Sequence, residues 1–131
     1  MKRILFFLGL ISTISFYSQP PVTATFEVDL SLYQGVYSTV EFYRGGQLYS
    51  MANTIGNTYE YTTTVPGFQA SNYSYKFVVD GVTETFNGTE SCVGIIASDT
   101  LRIINLNTTT PAIVCWESCN ACATAIPGCT D

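Results

Sequence analysis

Residues 72–81 read NYSYKFVVDG. Aromatic and aliphatic side chains alternate with other residues, and alternation at period two puts successive side chains on opposite faces of a strand. Tyr73, Tyr75, Phe77 and Val79 therefore share one face, read as the core face, while Ser74, Lys76 and Val78 share the other, read as the solvent face. The closing Asp80-Gly81 pair is a strong two-residue hairpin signal, because the favoured turn requires positive φ at both central positions. The sequence thus predicts that Tyr73–Val79 pairs antiparallel with the following Val82–Phe86, VTETF.

The same period extends in both directions. In VTATFEVDL, Val22, Ala24, Phe26, Val28 and Leu30 fall on one side, and Thr23, Thr25, Glu27 and Asp29 on the other. Shorter alternating runs occur in VYSTVEFY from Val36, TYEYTTTV from Thr58, TLRIINL from Thr100 and, weakly, AIVCW from Ala112. Between them stand turn formers: Arg44–Gly46, Ile55–Asn57, Pro66–Phe68 and Asn87–Thr89,. No window after the N-terminal segment combines helical periodicity with caps. Short strands with regularly spaced turns predict an all-β fold, an immunoglobulin-like antiparallel β-sandwich of about seven to eight strands.

The N-terminus reads differently. Lys2 and Arg3 precede an apolar run from Ile4 to Ile14, whose end overlaps the small and polar STISFYSQ pattern of Ser12–Gln19, the layout of a secretory signal peptide. The run is too short to span a bilayer as a helix. With no cysteine in it, lipid modification is not expected, so residues 1–18 are assigned as a signal peptide and the protein as secreted, extracellular or on the cell surface. Losing Lys2 and Arg3 leaves only Arg44, Lys76 and Arg102 against ten acidic residues. Such a balance disfavours nucleic acid, whose binding depends on cations that neutralise phosphate.

All five cysteines lie late in the chain, at 92, 115, 119, 122 and 129. In an exported protein this clustering reads as disulfides among Cys92, Cys115, Cys119 and Cys122. Zinc is the competing reading of CWESCNAC, but the chain has no histidine and export favours oxidation,. No metal and no cofactor are expected. Sequence does not dictate connectivity; the preferred pairing is Cys92–Cys115 with Cys119–Cys122, leaving Cys129 odd. An enzyme is not expected either. Histidine is absent, as are G-x-S-x-G, H-E-x-x-H and a phosphate loop,. Glu41, Glu60, Glu84 and Glu90 could in principle form a glycosidase pair, but alternation places all four toward solvent, where nothing would raise a pKa.

YSYKFVVDG, preceded by a strand and a V-P-G turn, resembles the Y-x-Y-K-F-x-V-D-G hairpin of glycogen- and starch-binding β-sandwich domains. Over nearly all of the mature chain, ATFEVDL, YSYKFVVDG and VCWESCNAC together resemble a group of bacterial secreted modules. These open with a V-T-F-x-V-D strand and close with a V-C-[FW]-x-S-C-x-x-C tail, and PGCTD is similar to the start of the G-C-T-D repeats that follow such modules. The resemblance implies a β-sandwich module over 20–116, a Cys-containing tail or linker over 117–131, and membership of a larger multi-module protein.

It also implies a non-catalytic module that holds a polysaccharide, with an α-glucan as the expected type and Lys76 at the position of the glucan-contacting lysine. Other positions depart from the pattern. The loop that supplies a stacking tryptophan reads FYRGGQLYSM, Val82 and Thr83 follow the D-G turn where a second tryptophan is usual, and Leu101–Arg102 replace an asparagine. Tyr43 and Tyr49, flanking the RGGQL turn of Arg44–Leu48, are the replacement platforms, so the candidate carbohydrate-binding residues are Lys76, Tyr49 and Tyr43. Arg44 reads as a turn-flanking solubility residue. Trp116, the single tryptophan, reads as packing over a disulfide. The missing tryptophans keep open a structural or adhesive immunoglobulin-like spacer of a larger protein, without glycan affinity; a peptide- or protein-binding immunoglobulin-like domain is the remaining alternative.

Overall fold

The computed structural model describes residues 18–122. The expected leader, all but its last residue, and Cys129 lie outside that range. Ten strands are described: β1 (Val22–Asp29), β2 (Val40–Arg44), β3 (Gln47–Ser50), β4 (Ala52–Ile55), β5 (Thr58–Val65), β6 (Tyr73–Val79), β7 (Val82–Thr83), β8 (Val93–Ile96), β9 (Asp99–Ile104) and β10 (Val114–Cys115). A 3-10 turn, Gly67–Asn72, links β5 to β6.

They form the expected all-β sandwich. One sheet has the order β10-β1-β5-β4; the other runs β3-β2-β6-β9-β8, with β7 paired to β6. Every pairing is antiparallel except β1 with β10, which is parallel. The chain changes sheets at Met51, between the edge strands β3 and β4. The β1–β5 ladder runs unbroken from Val22↔Val65 to Asp29↔Thr58. Its inward residues Ala24, Phe26 and Val28 are buried, while outside Thr25 and Thr62 join hydroxyls at 2.7 Å.

Aromatic rings fill the space between the sheets. Phe26, Phe42 and Phe77 are fully buried; Phe42 lies 4.8 Å from Phe26, 4.8 Å from Tyr61 and 5.2 Å from Tyr75. Rings of this size each remove a large apolar area from water, and tilted or offset pairs add to that gain. Burial pushes the Tyr75 hydroxyl up to about 12, only partly opposed by the cation of Arg102. Tyr73 is raised for the same reason, again partly opposed, here by Arg44.

Asp80 and Gly81 have φ of 47° and 76°, as the hairpin signal requires. The ribbon is shorter than expected, ending after Val78↔Thr83. At Glu84 the chain leaves the ladder: its N–H still reaches the Phe77 carbonyl at 3.1 Å, but its carboxylate takes the Phe77 N–H. Asp80 has a second task, accepting the backbone N–H groups of Ser38 and Thr39 and both hydroxyls. Those bonds, the Thr39 N–H foremost, hold its carboxyl below its ordinary value. They also explain why β2 starts at Val40 rather than Val36, since the preceding residues are tied to a turn instead of a strand.

The disulfides correct the expected pairing. Cys92 joins Cys119 and Cys115 joins Cys122. Cys115 sits in β10 on the smaller sheet, whereas Cys92 precedes β8 on the larger one. The tail then folds back, with the Cys115 N–H on the Asn120 carbonyl at 2.8 Å. That turn brings Cys122 to a Cα separation of 4.6 Å from Cys115 and leaves Cys119 5.5 Å from Cys92.

Candidate functional site

Strand register decides which candidate residues can act together, because directly opposed residues share a face. Tyr43 opposes Lys76 across β2–β6 and Leu48 across β2–β3. These three side chains therefore belong to the outer face of the larger sheet. Tyr49 opposes Phe42, which opposes Phe77. It belongs to the inner face, where its ring stacks on Tyr61 at 5.1 Å. The structure thus brings Lys76 and Tyr43 together and separates Tyr49 from both.

Lys76 is not the solvated side chain that alternation implied. It is 7 % exposed, and its ammonium lies 2.5 Å from Asp99 Oδ1, on a carboxylate that is half exposed. Asp99 is the first residue of β9 and points to the same face. The pair separates two clefts. On one side a cleft of about 350 Å³ is lined by Tyr43, Ser74, Ile96 and Leu101, with Gly45 and Ala97 at its rim; on the other, one of about 300 Å³ is lined by Thr83, Thr85, Phe86, Ser98 and Thr100. Asp99 contributes to both.

Beneath this face lies a second ion pair, which sequence reading missed. Glu84 and Arg102, each 1 % exposed, meet in a two-pronged contact, Nε to Oε1 and Nη2 to Oε2, both 2.7 Å. The guanidinium also donates to the Ser118 carbonyl at 2.9 Å and to the Cys115 carbonyl at 3.4 Å. It lies 5.1 Å from the Phe77 ring and 4.9 Å from Phe86. Burial of both charges is tolerated because each remaining polar atom has a partner. The expectation that Glu84 faces solvent is corrected here: with Val78 opposite Thr83, Glu84 follows opposite Phe77, on the inner face of the sheet. A signal was present, since TLRIINL carries one cation, and VTETF one anion, inside otherwise strand-like runs.

Arg44 is likewise engaged. Its guanidinium lies 4.0 Å from the centre of the Tyr73 ring and donates to Gln69 Oε1 at 3.1 Å; it is not merely a solubility residue. All three described cations therefore have internal partners, whereas Glu27, Asp29, Glu41, Glu60 and Glu117 border the surface. Among the described residues no cluster of three or more His, Cys, Asp or Glu could hold a metal ion, and no helix is long and apolar enough to cross a membrane.

Trp116 is half-buried, edge-on to Tyr33 with ring centres 5.6 Å apart. It belongs to a row of aromatic edges continuing through Tyr37 to Tyr59.

No protein-family model, curated protein or solved structure matches this chain.

Proposed function

We propose that the protein is a secreted, non-catalytic binding module for a neutral polysaccharide, held on the outer face of its larger sheet. The observation that carries this reading is the cleft beside Tyr43, which joins an aromatic ring and apolar walls to a fixed carboxylate. A sugar offers both kinds of partner: apolar C–H faces for a ring and hydroxyl donors for a carboxylate. Lys76 in this reading orients Asp99 rather than touching ligand first, and its buried stem keeps the carboxylate in place. Internal pairing of all described cations favours an uncharged glycan over a polyanionic one. Two disulfides suit a chain that folds in an oxidising compartment, in keeping with export.

Retention on insoluble starch and on a panel of neutral and acidic polysaccharides tests the proposal. Wild type is expected to be retained on at least one neutral polysaccharide and not on acidic ones, and Tyr43→Ala and Asp99→Asn to be released earlier while remaining folded by circular dichroism. Absence of retention on every polysaccharide overturns it. That result would favour the spacer reading, which is supported by the engagement of Lys76 with Asp99 and the lack of tryptophan at the usual platform positions.

A further inference from the structure

We propose that the ligand is a linear glycan whose chain runs from the Tyr43 cleft, past the Lys76–Asp99 pair, to Trp116 at the end of the sandwich. The inference rests on the neutral-polysaccharide reading and specifies its site. A third cleft, of about 300 Å³, is lined by Tyr33, Gln34, Trp116, Glu117, Leu32 and Val82. It is joined to the outer face by shared and bonded residues. Asp99 lines the first two clefts; Thr83, in the second, follows Val82, in the third. Thr85 of the second donates its N–H and its hydroxyl to Glu117 of the third, at 3.0 and 2.7 Å.

The chemistry along this path alternates as a sugar chain would require. An aromatic ring stands at each end, and hydroxyls of Thr83, Thr85, Ser98 and Thr100 lie between. At about 3.3 Å per residue, Ser74 to Val79 alone covers roughly 17 Å, which is several pyranose units rather than one. The far platform is also rigid before ligand arrives. The Trp116 backbone N–H donates to the Asp29 carbonyl at 3.3 Å, and the neighbouring Cys115 is bonded to Cys122. Preorganised rings lose little freedom on binding. The tail is therefore part of the binding surface, not only a linker.

Because Trp116 is the only tryptophan, its fluorescence reports occupancy of the far cleft directly. The experiment titrates wild type with the maltose-to-maltoheptaose series and, in parallel, the cello-oligosaccharides, following tryptophan emission and, by calorimetry, affinity. Affinity is expected to climb with chain length, and emission to change only for the longer members. Trp116→Ala, checked for folding by circular dichroism, is expected to lose up to about tenfold in affinity for the longest sugar and nothing for the shortest. Retention on polysaccharide with Trp116 emission unmoved at every length overturns this inference and leaves the functional reading standing; so does length-independent affinity. Failure to bind any polysaccharide or oligosaccharide overturns both. The emission measurement needs no variant, so a Trp116→Ala protein that fails to fold leaves the test intact.

Discussion

Three cations survive in the described chain, and each anchors a different part of it. Arg102 holds the tail to β9 through Ser118 and Cys115 while pairing with Glu84. Truncating it strands a buried carboxylate, so Arg102→Ala is expected to cost about 3–5 kcal/mol in urea unfolding. Replacing both partners, as in Glu84→Gln with Arg102→Met, should cost less than the sum of the single changes. Lys76→Ala is expected to cost only about 1–2 kcal/mol, because the Asp99 it leaves behind is half exposed and rehydrates,. These two lysine and arginine roles were unequally legible. Alternation placed Lys76 on the correct face, but nothing local says that Asp99, 23 residues later, returns to cover it. Glu84 belongs to the inner face because the hairpin register sets it opposite Phe77, and a carboxylate there makes sense only with Arg102, 18 residues later, as its partner. The register that separates Tyr49 from Tyr43 could not be read without knowing that the Arg44–Gly46 turn closes on two residues.

Each strand read from alternation exists, and those with unbroken ladders, β1, β5 and β6, have nearly the expected limits. The three that were missed, β3, β4 and β8, are edge strands whose burial patterns do not alternate. Alternation marks a half-buried strand, and an edge strand has no such need. The β8–β9 turn was hidden for another reason. Ala97 and Ser98 adopt φ of 49° and 68°, a conformation in which side chains are strained and which Asn or Gly usually supplies. Ser98→Gly is therefore expected to raise stability by about 0.5–1 kcal/mol, read as a higher urea midpoint at unchanged slope. At the other hairpin, Asp80 titrates below its ordinary value of 3.8 because it accepts the Thr39 and Ser38 N–H groups. A carboxyl depressed in the folded state adds stability that is complete above its unfolded value and lost as pH falls through the folded one. Acid unfolding of wild type should thus include a component below about pH 3.8 that Asp80→Asn lacks.

The sandwich as a unit has a matching limit in base. Tyr75 is pushed to about 12 from an ordinary 10.0 by burial, so the unfolded chain gives up its proton before the folded one does. Stability is then full below about pH 10 and declines as pH rises toward 12. Tyr75→Phe, which keeps the ring, should move the alkaline midpoint upward in a circular-dichroism titration. The two disulfides interlace, one linking 92 to 119 and the other 115 to 122, and this matters when the molecule is stretched. Force applied to its two ends enters β10 through Cys122–Cys115 and meets β1 lying parallel beside it, so the strands are loaded along their length and their bonds resist together rather than one at a time. The Cys92–Cys119 bond meanwhile bypasses a separation of 27 residues. Single-molecule pulling should show extension shortened by roughly 90 Å in the oxidised protein relative to the reduced one. Under tension β8, β9 and the Trp116 platform consequently lie outside the path that lengthens, and that half of the domain carries load without being drawn out.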